Sequence, residues 1–325
     1  MLRRFLISFL VTAVIILLLF TQISVRELSD LLMKVDPLWI GIGSLFYLLG
    51  LLFRALRYHW LIHSKKVPFS RLFQITTIYN LAITVLPSKF GELTYPYFLN
   101  RAAGVNFTEG LASLITSRIY DLFVILVIFS ITVAGSQETL RIGLFWIILI
   151  SGGLTCLIVI VLLNLSRLLA WLSMLIDKWS ARPGTKIKQP FQWLQKKIQR
   201  ISEDLHAINA RRGYLPVALV TTLSWLMIFL MFHAFLKGFG ITVPFLKVVF
   251  GSTVAILAST IPISGLGNWG MLEAGWAAGF LLVGLSKENA IATGFGVHIL
   301  VLMVSAVIGL LCWLSLRRQS PSLPA

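Results

Sequence analysis

The chain alternates long apolar runs with short polar segments. A bilayer core needs about 20 apolar residues per helix, and shorter runs suit segments that enter the membrane and turn back. Nine apolar runs can be drawn, at 5–23, 38–53, 72–88, 109–134, 143–163, 214–236, 245–262, 270–285 and 290–316. This pattern predicts an all-α polytopic membrane protein that forms a single transmembrane domain over residues 1–325.

The basic residues between the runs predict the topology. Five Lys and Arg without an acidic residue lie between 54 and 71, and ten basic against three acidic residues lie between 164 and 213. Because positive loops stay in the cytoplasm, we expect both loops and both termini to be cytoplasmic. The short, charge-balanced segments 24–37 and 135–142 are then external. The expected location is the cytoplasmic (inner) membrane of a prokaryote.

Nine full crossings would leave the termini on opposite sides of the membrane. The run 72–88 is therefore predicted to enter from the cytoplasm, turn near Pro87 and Gly91, and return through 92–103. The runs 245–262 and 270–285 start and end outside, and charge leaves open whether they cross fully or form a second re-entrant pair. The prediction is six full transmembrane helices plus two Pro/Gly-broken re-entrant helical hairpins.

The two hairpins belong to stretches of similar order and opposite orientation. The first repeat unit, 72–134, and the second, 245–316, each contain an apolar helix, a break with Pro and Gly, a Glu and a long helix. Inverted repeats with broken helices in matching positions are typical of transporters and place the substrate near the middle of the membrane. We therefore predict an inverted repeat.

Composition excludes several classes of protein. Hydrophobic residues make up 58% of the chain and charged residues 12%, about half the charged share of a soluble domain. The net charge is +16, and the basic residues lie between apolar runs. In that position they indicate the topology and contacts with anionic headgroups, not nucleic-acid binding. Two isolated cysteines and five scattered histidines form no metal or disulfide pattern, and no cofactor is expected.

Polar side chains within apolar segments cost about 2.5–3.5 kcal/mol each when charged, and are therefore functional candidates. Arg118 and Asp121 are three residues apart and can pair, which either fastens the helix to the hairpin or prepares a binding site. In the second case Arg118, Arg101 and Lys89 offer donors to a lipid phosphate. The candidate residues for headgroup binding are Asn80, Lys89, Arg101, Arg118 and Asp121.

Glu92 and Glu273 occupy matching positions in the two units. Each is expected to cap the second helix of its hairpin or to carry a coupling proton. His298 lies near the middle of a helix, where packing and proton relay are the two interpretations. The candidate residues that line the cavity are Ser259, Ser264, Asn268 and His298.

The motifs resemble one known family. They are Asn80…Leu86-Pro87-x-x-x-Gly91-Glu92…Arg101…Ser117-Arg118-x-x-Asp121 and Ile261-Pro262-Ile263-Ser264-Gly265-x-Gly267…Glu273. Together they resemble the lysylphosphatidylglycerol synthetase transmembrane region and its stand-alone, flippase-like relatives, over about 5–316. The resemblance implies translocation of lipid headgroups, or a partner role in lipid or polyprenol-linked glycan assembly. The sequence shows no aminoacyl transferase domain after this region, so we do not expect aminoacylation of lipid.

Three hypotheses follow. The first is a lipid flippase, not an enzyme, for an anionic, modified or polyprenyl-linked lipid; without a nucleotide-binding motif it would use ion coupling or equilibration. The second is a glycosyl- or phospho-transferase with a polyprenyl-phosphate donor, served by Glu27, Asp30 or Asp36 on the outer face. The third is a scaffold that holds a lipid or glycan synthase through the basic amphipathic loop 164–213, which otherwise lies on the anionic leaflet. The oligomeric state stays open.

Overall fold

The described part of the chain is helical throughout. The computed structural model describes residues 35–86, 88–135, 214–260 and 269–319, with residue 33 and single helical positions between 152 and 203. The helices are α1 Pro37–Leu61, α2 Phe69–Val85, a 3₁₀ segment Ser88–Leu93, α3 Thr94–Ala103, α4 Phe107–Gly135, α5 Tyr214–Gly238, α6 Phe245–Ser259, α7 Met271–Leu282 and α8 Lys287–Gln319.

Four of these helices are long and apolar enough to cross a membrane. They are Pro37–Leu61, Phe107–Val133, Leu215–Gly238 and Lys287–Gln319. Each covers all or nearly all of one of the runs predicted to span, which supports a multi-pass membrane protein. The predicted span 5–23, and all but single positions of the predicted span 143–163 and of the loop 164–213, lie outside the described residues.

The ends of α1 and α5 are tied together. Asp36 caps α1, because its Oδ1 accepts a hydrogen bond from Leu38 N at 2.9 Å, and Asp36 N donates to Gly238 O at 2.9 Å. Gly43 and Gly50 lie where α1 faces α5, and a side chain at Gly43 would collide with the ring of Phe235. The two spans therefore run antiparallel in close contact, as small residues allow in membrane helices.

The first short-helix pair consists of α2 and α3, joined by the 3₁₀ segment. The two helices have 17 and 10 residues, or about 26 and 15 Å at 1.5 Å per residue, less than the hydrocarbon thickness of about 30 Å. A Cβ at Gly91 would lie 2.7 Å from Ala82 O and from Ile83 Cα. Only glycine lets the turn pack this closely on α2.

The second short-helix pair consists of α6 and α7, with 15 and 12 residues. A Cβ at Gly279 would lie 2.9 Å from the Cα of Gly251, and one at Gly275 would lie 2.9 Å from the Cα of Ala255. The backbones of α6 and α7 therefore touch. The intervening break, 261–268, lies outside the described residues.

Helix α8 contacts both short-helix pairs. Gly294 faces the ring of Trp276 in the second pair, and Gly309 faces Leu81 in the first. The buried apolar residues form two clusters, one that includes Trp276 and Phe280 and one that includes Ile75 and Tyr95. Each short-helix pair therefore contributes to its own part of the core, and α8 joins the two.

Candidate functional site

A cavity of about 490 Å³ lies among the helices. Its wall includes residues from α1, α2, α4, α5, α6, α7 and α8, together with Glu92 of the 3₁₀ segment. Much of the wall is apolar, and its polar members are Tyr47, Arg54, Asn80, Thr84, Glu92, Arg118, Asp121, Trp225, Ser259, Thr260, Trp276 and His298. Charged groups thus face a common space between membrane helices. Because charges are costly to place there, these groups are candidates for a function.

Asp121 is held by residues from two other spans. Its Oδ1 accepts from Arg57 Nη1 at 2.6 Å and from Trp225 Nε1 at 3.0 Å, and its Oδ2 accepts from Arg57 Nη2 at 3.4 Å. The Arg57 and Asp121 side chains are only 3% and 10% exposed. The predicted pair with Arg118 is present at 3.9 Å, but the short ion pair of Asp121 is with Arg57. Asp121 therefore joins α1, α4 and α5.

Arg118 lies at the edge of the cavity with a looser set of partners. Its Nη2 donates to Tyr79 OH at 2.6 Å and lies 3.5 Å from Glu92 Oε1. Its side chain is 38% exposed. Glu92 lies in the 3₁₀ segment and faces Arg118, whereas the N-cap residue of α3, Leu93, makes no side-chain cap. The ion pair with Arg118 is therefore one role of Glu92, and its capping of α3 stays a prediction.

Arg54 and Asn80 form a second polar group in the same wall. Arg54 Nη1 donates to Asn80 Oδ1 at 2.5 Å, and Asn80 Nδ2 donates to Tyr47 OH. The Arg54 guanidinium also lies over the ring of Trp225, 5.7 Å from its centroid. These contacts come from three helices and fix the orientation of the guanidinium.

Glu273 and His298 lie together at the second short-helix pair. Glu273 Oε2 accepts from Gly270 N at 2.7 Å, and Glu273 Oε1 lies 2.5 Å from His298 Nδ1. The Trp269 ring stacks on His298 at 4.3 Å. Glu273 thus has the contact expected of a helix cap, and His298 connects it to the cavity wall, where Ser259 also lies. No three His, Cys, Asp or Glu side chains gather around a metal-sized space in the described residues.

A second, apolar groove adjoins the cavity. It has a volume of about 520 Å³ and lies between the 3₁₀ segment and α4. It shares Glu92, Arg118 and Leu122 with the cavity, and its other lining residues are Phe90, Leu93, Leu111, Leu114, Ile115 and Ile119. A cavity that contains charged groups and an apolar groove therefore meet at the Arg118–Glu92 pair.

The sequence was compared with known proteins. Residues 5–309 match the family described as the lysylphosphatidylglycerol synthase TM region. The chain belongs to this family. No curated protein matches the chain. Membership in the lysylphosphatidylglycerol synthase TM-region family confirms the resemblance in the motifs and indicates a membrane protein of lipid metabolism or transport.

In this family member the structure brings together most of the predicted site residues. Asn80, Glu92, Arg118, Asp121, Ser259 and His298 all line the cavity. Arg101 differs: it lies exposed on the last turn of α3 and is not among the described lining residues. Ser264, Asn268 and the side chain of Lys89 lie outside the described residues.

Sequence reasoning missed Arg54 and Arg57, which it assigned to the cytoplasmic loop 54–71. Helix α1 instead continues two turns beyond the apolar run 38–53 and carries both arginines inward. The signal was the length of the run: 16 residues are too few to span a bilayer, so the helix has to include the residues that follow. The partners Tyr79 and Trp225 carried no comparable signal.

Proposed function

We propose that this chain is a flippase-like transporter that moves the headgroup of an anionic, modified or polyprenyl-linked lipid across the cytoplasmic membrane. The observation that carries the proposal is that a cavity with charged groups in its wall adjoins an apolar groove. A lipid has a headgroup that is costly to bring into hydrocarbon and tails that are not. The cavity offers the headgroup charged and hydrogen-bonding partners, while the groove accepts a tail.

The arrangement of helices supports the same proposal. Two pairs of short helices, each packed through glycine, adjoin the cavity, and the loop charges assign them opposite orientations. We propose that they are re-entrant hairpins of an inverted repeat, with six full spans and cytoplasmic termini. Binding at a point accessible in turn from either side would then move the headgroup, without catalytic chemistry.

The transferase hypothesis requires a free carboxylate on the outer face. Of its three candidates, Asp36 is engaged as the cap of α1, and Glu27 and Asp30 lie outside the described residues. The scaffold hypothesis depends on the loop 164–213, which is also outside them. Among these residues, the described structure thus bears on Asp36 alone.

A reconstituted translocation assay tests the proposal. Purified protein is placed in liposomes with fluorescent anionic or zwitterionic lipids in separate runs, and an outer-leaflet quencher reports the protected inner pool. We expect protein-dependent loss of the protected pool that is slowed by Arg118→Ala. The matched control is Arg318→Ala, which removes an exposed arginine at the end of α8. If folded protein moves no lipid, the flippase proposal is wrong and the transferase and scaffold hypotheses gain weight.

A further inference from the structure

Arg54 is a charged residue of the cavity wall that lies outside the two sequence motifs that resemble the family. It lies on α1 and is partly buried, facing the same space as Arg118 on α4. Its guanidinium is oriented by Asn80 and by the ring of Trp225. Asn80 is in turn held by Tyr47. The group is preorganised by neutral neighbours.

Arg54 makes no short ion pair with the described carboxylates around the cavity. Asp121 makes its short ion pair with Arg57, and Glu92 lies 3.5 Å from Arg118. Among the described residues no carboxylate oxygen lies within 4.0 Å of Arg54. Asp121 attracts Arg54 only from beyond that distance, and its short ion pair is with Arg57. The Arg54 guanidinium, which is held directly by an amide and a ring, therefore leaves positive potential directed into the space in front of it.

The carboxylate of the second short-helix pair is also engaged. Glu273 is fully buried and engaged by Gly270 and His298. Each described carboxylate near the cavity therefore has a closer partner than Arg54, and a ligand can supply the direct ion pair that Arg54 lacks.

We propose that Arg54 binds the phosphate of the lipid headgroup, and that Arg54 and Arg118 together make the cavity select lipids whose headgroup is negatively charged overall. A guanidinium matches phosphate oxygens with two parallel N–H donors, which a lysine cannot reproduce. A zwitterionic headgroup brings its own cation toward these arginines, and a cationic headgroup is repelled further. The ligand class is therefore an anionic phospholipid or a polyprenyl phosphodiester with an uncharged headgroup. This inference rests on the proposed function for its biological meaning, but it concerns binding and is tested without transport.

Equilibrium binding to the purified protein in neutral detergent provides the test. Short-chain phosphatidylglycerol and phosphatidylcholine are titrated separately, and heat is measured by calorimetry. We expect phosphatidylglycerol to bind about tenfold more tightly, which corresponds to about 1.4 kcal/mol. Arg54→Gln should abolish most of this preference, and Arg54→Lys should reduce it because the charge stays but the fork is lost. The control Arg318→Gln should leave both affinities unchanged.

The outcomes separate the inference from the proposed function. If Arg54→Gln and Arg54→Lys keep the full preference for phosphatidylglycerol, or if the wild type shows no preference, Arg54 is not the phosphate ligand. Should Arg54→Gln not fold, Arg54→Lys decides alone, and an unchanged preference refutes the role of the fork. Inorganic phosphate that competes as well as the short-chain lipid would refute a lipid ligand. Selective binding without translocation in liposomes would overturn the flippase proposal and leave the assignment of Arg54 standing.

Discussion

Replacing Asp121 by alanine removes the carboxylate that ties three spans together. Asp121 accepts two hydrogen bonds from Arg57 and one from Trp225, and both members of the ion pair are buried. In the variant, the described contacts left to the Arg57 guanidinium are a weak hydrogen bond to Thr221 Oγ1 at 3.4 Å and the ring of Tyr58, whose centroid is 5.6 Å away. The perturbation thus leaves a charge uncompensated inside the helix bundle.

The expected loss of stability is large. Breaking a buried ion pair by removal of one partner costs about 3–5 kcal/mol, because the remaining charge keeps its desolvation cost. Arg118→Ala is the informative comparison, because Arg118 is 38% exposed and its two ion pairs are 3.5 and 3.9 Å long. Exposed pairs of that kind contribute about 0–1 kcal/mol. Arg118→Ala also removes the hydrogen bond to the buried Tyr79 hydroxyl. We therefore expect Asp121→Ala to destabilise the fold clearly more than Arg118→Ala.

Thermal unfolding of the purified variants in one detergent measures the difference, with size-exclusion chromatography as a check on aggregation. The double variant Arg57→Met/Asp121→Leu removes both charges, and it should recover most of the stability lost in Asp121→Ala. If Asp121→Ala melts at the same temperature as Arg118→Ala, Asp121 does not fasten the spans. If the double variant is as unstable as the single one, the loss does not come from the unpaired charge.

Three further predictions concern packing, the buried carboxylate and the groove. Gly279→Ala should lower the melting temperature, because its Cβ would lie 2.9 Å from Gly251 Cα. The control Gly41→Ala should not, because nothing lies within 4 Å of the added Cβ. Equal effects of the two variants would contradict the close contact between α6 and α7. Glu273→Ala should lower the free energy of unfolding by about 1–3 kcal/mol. Glu273→Gln should lower it less, because the amide oxygen can still accept the hydrogen bond from Gly270 N. Equal unfolding temperatures for the two variants would count against capping. Ile115→Trp should fill the apolar groove and slow the translocation of a long-chain lipid in liposomes, while short-chain phosphatidylglycerol should still bind. If translocation is unchanged, the groove is not part of the lipid's route.

The membrane class and the four described spans could be predicted from the chain alone. The reason is that the transfer of apolar residues into hydrocarbon adds up locally along a helix, so run length is sufficient. The breaks follow the same logic, because Pro87 and Gly91 act on their own backbone. Charged residues such as Arg118 and Glu92 could be identified as site candidates, because a charge within an apolar segment costs free energy whatever lies around it.

The pairing of those charges required the tertiary structure. Asp121 has a potential partner three residues away, yet its short ion pair is with Arg57, 64 positions earlier, because packing of α1 against α4 and α5 brings the two together. The same packing places Arg54 in the cavity wall and joins the cavity to the groove at Arg118. A local pattern indicates how much free energy it costs to place a charged residue in the membrane. Which partner offsets that cost depends on how helices that are distant in sequence pack together.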